Sequence, residues 1–327
     1  MKVLIWCCGF EPRFAGQYIY AEAKRQGLDV EVTGSRNNPA EAVEACRKLK
    51  PDWVFCLSIT PAMEPHYTEI KKTGAKLLLW YPDQTEQTRD SMWKNCFDNV
   101  ADVLVFSILE TAIRYKELAP VVLWMPQYFD QQFCMKDGKL PERLNPDKEI
   151  YDVCFIGATD QRRKDQLSIL QKSFKCSFHL NGVKNRTEVR GWEMAEIYAQ
   201  SKIAVNIQRG MFMNRGAFVT SNRVYNAMGS GCFFINQQIE QVERLFVMGV
   251  DCTMYDDSIE GLVNKITYYL KNKLLREVMA ATGQELILKH HTLGQRVKEY
   301  WRVMEMIKND AAFMLAHNFP GFGEWVK

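Results

Sequence analysis

The sequence has 327 residues, more than a single hydrophobic core usually supports, so we expect two domains of about 150 residues each. Apolar residues make up 47% of the chain and charged residues 25%, which is ordinary for a soluble globular protein. The formal net charge of +3 is too small to indicate nucleic-acid or membrane binding by itself, although it does not exclude local basic patches.

Ten cysteines are scattered along the chain, most of them within apolar runs. No two form a C-x-x-C pair, which disfavours zinc ribbons and thioredoxin-like redox sites. The first strand pattern, KVLIWCC, shows no charged leader and cleavage site, and no run approaches the roughly 18 apolar residues of a membrane span. We therefore expect buried free thiols and a cytoplasmic location.

Residues 1–130 alternate short apolar runs with amphipathic helical patterns. Continuous apolar strands separated by helices are typical of a parallel sheet covered on both faces. We therefore predict a Rossmann-like, doubly wound domain over residues 1–130. The runs that predict its strands are KVLIWCC, DVEVTG, DWVFCLS, KLLLWYP, DVLVFS and VVLWMPQ.

Residues 131–150 are polar and contain two prolines, so they are interpreted as a linker. The strand–helix pattern restarts at Tyr151 and predicts a second domain of the same class over residues 151–300. Its strand runs are YDVCFIG, SFHLNG, KIAVNIQ, GCFFINQ and CTMYD. Residues 258–308 have a helical pattern throughout, and the end of the last helix with its aromatic tail, residues 301–327, is expected to pack back toward the first domain. Ligands of open α/β sheets bind at the carboxyl ends of the strands, so we expect function in the loops that follow strands, in a cleft between two domains.

The loop after YDVCFIG combines glycine with cations. Gly157 would permit a sharp turn, and Arg162 and Arg163 follow it. Arginine binds phosphate oxygens bidentately, so one of these side chains could hold a diphosphate. The alternative is a solvated helix start, since adjacent cations cannot all face inward. After the next strand run, Asn181 and Gly182 would contact a nucleobase or form a simple turn.

A long glycine-containing loop follows the strand KIAVNIQ and leads to the stretch SNRVYNAMGSG. Loops of this length in a compact domain are usually functional or mobile. Ser221 or Asn222 could cap the next helix. Arg223 then falls in the first turn, which is unfavourable for a cation unless an anion lies nearby. The candidate donor-binding residues of this region are Asn206, Arg209, Arg215, Ser221, Asn222 and Arg223.

Three loops of the first domain are candidates as well. Gly9 and Phe10 lie in CCGFEPRFAG, which could bind an anion at the following helix or simply form a turn; the nicotinamide pattern G-x-G-x-x-G is absent. Asp83, in WYPDQTEQ, could act as a base or orient an acceptor, or could cap a helix. His66 lies near a predicted cleft loop, with a surface histidine as the alternative. No H-E-x-x-H, serine nucleophile elbow or P-loop occurs.

Four segments in order resemble the CgeB-like glycosyltransferases, part of the family-4-like group with the GT-B fold. They are ADVLVFSILETAIRYKELAPVVLWMPQYFDQQFC, YDVCFIGATDQRRKDQL, NRVYNAMGSGCFFINQQIEQVERLFVMGVDCTMY and HHTLGQRVKEYW. The resemblance covers about residues 76–302 and is strongest at 203–256. WYPDQ also matches the tryptophan–aspartate segment of that family.

The resemblance implies two Rossmann-like domains, with a nucleoside-diphosphate-sugar donor bound mainly by the second domain and the acceptor by the first. Gly157 with Arg162 or Arg163 matches the diphosphate contact. Asn226 stands where relatives commonly hold the ribose hydroxyls with a glutamate, and Phe218 stands where a second glutamate touches the sugar. Both carboxylates of the E-x7-E pattern are therefore missing. Asn226 retains an acceptor and a donor for a ribose hydroxyl, as a neutral partner.

The sequence thus predicts a metal-independent glycosyltransferase that needs no cofactor and takes a nucleotide sugar, a UDP-sugar by preference, as co-substrate. Asp83 or His66 would activate the acceptor, which is unidentified and could be a modified nucleobase. The alternatives are a nucleotide-sugar epimerase of the same fold and a non-catalytic binding or regulatory protein with a decayed site. The oligomeric state is left open.

Overall fold

The computed structural model describes residues 1–7, 16–33, 39–57, 63–82, 90–98, 100–143, 150–181, 188–210, 221–309 and 324–325. The chain divides into two compact units, an N-terminal unit of residues 1–126 with 293–327 and a C-terminal unit of residues 127–292. The strands are β1 (Val3–Cys7), β2 (Val30–Thr33), β3 (Trp53–Leu57), β4 (Lys76–Tyr81), β5 (Val103–Phe106), β6 (Val121–Trp124), β7 (Tyr151–Ala158), β8 (Cys176–Asn181), β9 (Ser201–Val205), β10 (Phe233–Gln237), β11 (Thr253–Tyr255) and β12 (Glu324–Trp325). The helices are α1 (Gly16–Arg25), α2 (Ala40–Leu49), α3 (Glu64–Lys72), α4 (Asp90–Phe97), α5 (Leu109–Arg114), α6 (Gln161–Ser173), α7 (Gly191–Ala199), α8 (Asn222–Gly229), α9 (Glu240–Leu245), α10 (Ile259–Lys271), α11 (Lys273–His290) and α12 (Leu293–Asn309).

The sheet of the N-terminal unit has the order β12-β6-β5-β4-β3-β1-β2. Strands β1 to β6 pair in parallel, and the short β12 pairs antiparallel with β6. Every residue of β3, β5 and β6 is buried, as a sheet covered on both faces requires. All six apolar runs predicted as strands form them, so the doubly wound fold predicted for this part of the chain is confirmed.

The sheet of the C-terminal unit is parallel throughout, in the order β11-β10-β9-β7-β8. The chain runs from β7 to β8 on one side and then crosses to β9 on the other side of β7. The order therefore reverses at β7, which makes the carboxyl ends of β7 and β9 the switch point where open α/β sheets bind ligands. One face of the sheet is closed by a core that includes Phe155, Val205, Ile235 and Ile266.

Helix α12 belongs to the N-terminal unit, although the sequence pattern placed residues up to 300 in the second domain. Arg296 is fully buried, and its Nε–H donates to the carbonyl oxygen of Pro126 at 2.8 Å. Tyr300 packs its ring against Phe55 at 4.8 Å between centroids. The Nζ of Lys76 donates to the carbonyl oxygen of Ile307 at 3.1 Å. These contacts hold α12 against the first sheet. The hydrophobic periodicity of the sequence does not predict them.

At the other division, residues 127–143 belong to the C-terminal unit although the sequence predicts a linker only from residue 131. Phe129 is buried and its N–H donates to the carbonyl oxygen of His291 at 2.8 Å. Arg143, near the end of this stretch, donates to the carbonyl oxygen of Gly231 and pairs with Glu277 at 3.1 Å. The polar segment therefore packs along the C-terminal unit at the residues that the structure describes.

The cysteines whose side chains the structure describes are free thiols, and all but the half-buried Cys176 are buried. Burial raises the pKa of Cys46 to about 11, so this thiol stays protonated and unreactive at neutral pH. The expectation of buried free thiols is confirmed for these residues. No helix in the described ranges is both long and apolar enough to cross a membrane.

Replacement of Tyr300 by alanine tests the contact between α12 and the first sheet. Because Tyr300 is 1% exposed and packs against Phe55 and Trp80, we expect Tyr300→Ala to lower the free energy of unfolding of the N-terminal unit by about 3 kcal/mol. Urea denaturation followed by tryptophan fluorescence measures the loss. Glu305→Ala, at an exposed position of the same helix, should change it by less than about 0.5 kcal/mol. Equal effects of the two substitutions would contradict this packing.

Candidate functional site

Four arginines gather at the switch point of the C-terminal sheet: Arg162, Arg163, Arg209 and Arg223. We call them the arginine cluster. Arg162 and Arg163 come from the first turn of α6, which follows β7. Arg209 follows β9, and Arg223 lies in the first turn of α8. The cluster therefore lies at the edge where the topology of the sheet favours ligand binding.

Arg223 is buried at the end of β7. Its Nε–H donates to the carbonyl oxygen of Ile156 at 2.7 Å, and its Nη1 donates to Oδ1 of Asn206. Nη1 also lies 3.4 Å from Oγ of Ser221. The guanidinium lies over the ring of Phe155, 4.3 Å from its centroid, and the residue is 7% exposed. Hydrogen bonds and a cation–π contact thus fix the orientation of the guanidinium.

The side chain of Arg223 restricts residue 157 to glycine. It lies within β7, paired with Leu180, so the sequence interpretation of a sharp turn at this glycine is wrong. A Cβ atom at residue 157 would lie 2.1 Å from Nη2 of Arg223. Glycine is needed here because the guanidinium occupies the space that any side chain would take.

Arg163 approaches the same aromatic ring and is 4% exposed. Its Nε–H donates to the carbonyl oxygen of Ile207 at 2.8 Å, and Nη1 donates to that of Ala158 at 2.5 Å. Its guanidinium lies 5.3 Å from the centroid of the Phe155 ring. One side chain thus connects the carboxyl ends of β7 and β9 through their backbone oxygens.

Two carboxylates neutralise the other two arginines. Nη2 of Arg162 pairs with Oδ1 of Asp257, while its Nη1 donates to the carbonyl oxygen of Gln208 at 2.9 Å. Nε of Arg209 lies 3.9 Å from Oδ2 of Asp160. Asp160 also caps α6, because its Oδ1 accepts the N–H of Arg163 at 2.9 Å.

Arg163 and Arg223 have no such partner in the described parts of the chain. Among the described residues, no carboxylate oxygen lies within 4.0 Å of either guanidinium. The other two buried arginines of the described chain do have one: Arg276 pairs with Glu277 at 3.0 Å, and Arg296 with Glu299 at 2.8 Å. Carbonyl and amide oxygens satisfy donors but leave the positive charge uncompensated.

The electrostatics follow from this arrangement. Burial lowers the pKa of Arg223. Burial also lowers the pKa of Arg163, and the charge of Arg223 lowers it further. Both shifts mean that the charged form is destabilised where it lies, so a bound anion would stabilise the folded protein. The arrangement is therefore suited to binding a phosphate-like group.

A network of buried amides supports the cluster. Nδ2 of Asn206 donates to Oδ1 of Asn236 at 2.6 Å, and both residues are 1% exposed. The hydroxyl of Tyr255 donates to the backbone oxygen of Asn206 at 3.0 Å. The side chain of Gln237 accepts the N–H of Gln208 at 2.9 Å and donates to Oδ1 of Asp257 at 2.6 Å. The ends of β9 and β10 and the start of the segment after β11 are thereby linked.

The structure brings together only part of the site predicted from sequence. Gly157, Asn206 and Ser221 each lie against Arg223 or within hydrogen-bond distance of it. Arg162, Arg163 and Arg209 complete the cluster around Arg223. His66 is a half-buried residue of α3 in the N-terminal unit, and of Asn181 only its place at the end of β8 is described. Gly9, Phe10, Asp83, Gly182, Arg215 and Phe218 lie outside the described residues.

Ser221 departs from its predicted capping role, and the structure defines the surroundings of three residues of α8. Ser221 occupies the N-cap position, but its side chain does not cap the helix and instead lies near Arg223. Asn222 is exposed and Asn226 is half-buried. Gly229 makes room for the ring of Phe129, whose Cδ1 would lie 2.5 Å from an added Cβ.

Four further residues of the site were not predicted from the sequence: Phe155, Asn236, Gln237 and Asp257. Phe155 looked like any core residue of an apolar strand. Asn236 carried a signal, since a polar residue inside the apolar run GCFFINQ requires a buried partner. Asp257 carried no such signal in the sequence, because it contacts Arg162 only in the folded structure. Within the described ranges, no group of three or more His, Cys, Asp or Glu side chains is placed to hold a metal ion.

Residues 154–302 match a protein-family model described as "Glycosyl transferase-like". No curated protein sequence matches the chain. Solved structures do resemble it. Anabaena HepE in complex with UDP is 10% identical with a TM-score of 0.61, over 93% of this chain and 100% of that chain. A glycosyltransferase from Rickettsia africae is 11% identical with a TM-score of 0.61, over 94% and 99%.

A putative UDP-N-acetylglucosamine 2-epimerase from Listeria monocytogenes is also similar, at 10% identity and a TM-score of 0.56, over 94% of this chain and 97% of that chain. At such low identity these likenesses establish the fold alone. They confirm the predicted GT-B fold of two Rossmann-like domains. The matched family segment contains the whole arginine cluster and begins within β7.

Replacement of Gly157 by alanine tests the close approach of Arg223. The added Cβ would lie 2.1 Å from Nη2, so the guanidinium must move and its contacts with Ile156 and Asn206 must weaken. We expect the free energy of unfolding to fall by about 1–3 kcal/mol in chemical denaturation. Gly210→Ala is the control, because its Cβ would meet only the side chain of Arg162, with Cβ at an ordinary 3.5 Å and Cδ at 3.8 Å. A fully stable Gly157→Ala protein would show that the space is not restricted.

Proposed function

We propose that this protein is a glycosyltransferase of the CgeB-like type, whose C-terminal unit binds the diphosphate of a nucleotide-sugar donor at the arginine cluster. The observation that carries the proposal is the pair of buried arginines, Arg163 and Arg223, which lack a carboxylate partner among the described residues. They lie at the switch point of the sheet, beside the first turn of α8. The match of residues 154–302 to the glycosyl transferase-like model supports the same reading.

Hydrogen-bond donors that have no acceptor among the described residues lie at the carboxyl end of β7. Arg223 uses Nε and Nη1 for hydrogen bonds, whereas Nη2 makes none with a described residue and lies against Gly157. The N–H groups in the first turn of a helix have no partner within the helix, and the helix dipole favours an anion there. A diphosphate at the end of β7 would accept from both sources.

The proposed reaction follows from this charge. The bond between the anomeric carbon and the diphosphate oxygen breaks, and an acceptor oxygen forms the new bond to the same carbon. Negative charge grows on the departing diphosphate, where the guanidinium groups and the helix N–H groups stabilise it. The acceptor proton passes to a base if the reaction inverts configuration, and to an oxygen of the departing diphosphate if the reaction retains it. Asp83 and His66 of the N-terminal unit remain the predicted candidates for that base.

The predictions for the nucleotide, the ribose contact and the metal and cofactor requirement concern the same site. A UDP-sugar is the preferred donor, Asn226 is the predicted partner of the ribose hydroxyls, and the reaction is predicted to need neither a metal nor a cofactor. The fold likeness to Anabaena HepE, solved with UDP and with UDP-glucose, supports UDP as the first nucleotide to test.

The alternative activity is epimerisation of a nucleotide sugar. The fold likeness to the putative epimerase from Listeria is the reason to consider it. An epimerase must move a proton at a sugar carbon, which needs an available base. The carboxylates in contact with the arginine cluster, Asp160 and Asp257, are both occupied with cations or backbone N–H groups. Mass spectrometry of donor incubated with the protein separates the activities, because hydrolysis or transfer releases UDP and epimerisation does not.

Replacement of Arg223 tests the donor site directly. We expect UDP to raise the melting temperature of the wild-type protein and to bind Arg223→Ala at least about tenfold more weakly, since a hydrogen bond to a charged group contributes roughly 1.5–3 kcal/mol. Isothermal titration calorimetry with UDP gives the affinities. Arg223→Lys should bind with intermediate affinity, because it keeps the charge and loses the planar fork of donors.

The matched control is Arg276→Ala. Arg276 is a buried arginine of the same unit whose Nη1 donates to the carbonyl oxygen of Tyr269 at 3.1 Å, outside the cluster. Its loss should lower the melting temperature without changing the affinity for UDP. Unchanged UDP affinity in Arg223→Ala would remove this residue from the donor site. Failure of wild-type protein to bind UDP, GDP or any nucleotide sugar would overturn the proposed function.

The role of Asn226 is tested by comparing UDP with 2′-deoxy-UDP. If the amide bonds a ribose hydroxyl, the wild-type protein should prefer UDP by about threefold to tenfold, and Asn226→Ala should lose that preference. Asn226→Glu, which restores the residue of the E-x7-E pattern, should retain it. The ratio of the two dissociation constants is the readout, so a general loss of stability would not imitate the effect. A preference that survives in Asn226→Ala places the ribose elsewhere.

A further inference from the structure

The buried amides behind Arg223 form a chain whose direction the arginine dictates. A guanidinium has only donors, so Asn206 must turn its Oδ1 to Nη1 of Arg223. Nδ2 of Asn206 is then left for the other side, where it donates to Oδ1 of Asn236 at 2.6 Å. Asn236 must therefore turn its own Nδ2 away.

That last donor has no acceptor among the residues that the structure describes. Nδ2 of Asn236 is buried and makes no hydrogen bond within the described ranges, and the residue is 1% exposed. A buried donor without a partner destabilises a protein. The chain of amides from Arg223 through Asn206 to Asn236 thus ends in an unsatisfied group.

An aspartate at residue 236 would remove this defect. A carboxylate has nearly the same shape as the amide, would accept from Nδ2 of Asn206, and carries no donor that needs a partner. It would also add a negative charge one hydrogen-bonded residue away from the buried Arg223. By hydrogen bonding and by charge, a carboxylate fits this position of the ligand-free protein better than the amide present.

We propose that Asn236 is a positioning residue that orients Arg223 through Asn206 and, by being neutral, preserves the positive charge of the Arg163–Arg223 pair for a diphosphate ligand. This inference rests on the proposed donor site. The cations and carboxylates around the site are consistent with it: Asp257 neutralises Arg162 and Asp160 lies beside Arg209, whereas no described carboxylate pairs with Arg163 or Arg223. A carboxylate at residue 236 would compete with the ligand for that charge.

The test is the Asn236→Asp protein, titrated with UDP and with inorganic pyrophosphate. We expect the affinity for both probes to fall at least about tenfold, because a buried negative charge one hydrogen-bonded residue from Arg223 weakens the positive potential that would hold an anion. The melting temperature of the ligand-free protein should stay equal or rise. Opposite effects on affinity and stability distinguish preservation of charge from a packing role, which would lower both together.

Asn264→Asp is the matched control. It makes the same change in charge at an exposed position of α10, so its affinities and melting temperature should equal those of the wild type. If Asn236→Asp does not fold, Asn206→Asp places the carboxylate directly on Arg223, and Asn236 can then turn its Nδ2 toward it. The same loss of affinity without loss of stability is expected.

The outcomes separate this inference from the proposed function. Equal affinity of wild type and Asn236→Asp for UDP overturns the inference and leaves the donor site standing, and so does a joint fall of affinity and melting temperature. If wild-type protein binds pyrophosphate but no nucleotide, the proposed function fails, and the pyrophosphate comparison still decides the role of Asn236. If wild-type protein binds neither probe, both are overturned.

Discussion

The C-terminal unit is organised around one requirement, the accommodation of the Arg223 guanidinium at the carboxyl end of β7. A buried guanidinium needs oxygen acceptors for its donors. Here the carbonyl of Ile156 and the amide of Asn206 supply them, and the ring of Phe155 lies against the cation at 4.3 Å. Gly157 has no side chain because the guanidinium fills that space. Residues from β7, from the end of β9 and from α8 are therefore constrained together.

The choice of partner for the buried cations distinguishes this site from the rest of the molecule. Arg276 and Arg296 are buried with a glutamate beside each, and they act as structural ion pairs within their units. Arg163 is solvated instead by the carbonyl oxygens of Ile207 and Ala158. Dipoles satisfy hydrogen bonds without cancelling charge, so the arrangement retains a positive potential at some expense of stability. Such an imbalance is typical of functional sites.

The sequence predicts the architecture well because the strands are long apolar runs separated by helices. KLLLWYP and YDVCFIG become β4 and β7 with their neighbours in a doubly wound order. It predicts the site less well, since the roles of its residues depend on contacts across the chain. Gly157 looks like a turn glycine until Arg223, far along the chain, is seen against it. Asp257 and Asn236 join the site only through tertiary contacts with Arg162 and Asn206.

The absence of the E-x7-E glutamates affects the charge of the arginine cluster. Residue 226 lies three positions after Arg223 on α8, a spacing at which a carboxylate and a guanidinium can pair. A glutamate there would partly neutralise Arg223, whereas Asn226 leaves it charged. Asn236, linked to Arg223 through Asn206, also leaves the guanidinium charged. Under the proposed function, a donor bound without the usual carboxylates would depend more heavily on its diphosphate. Neutral amides at residues 226 and 236, in place of carboxylates, leave the guanidinium available for that contact.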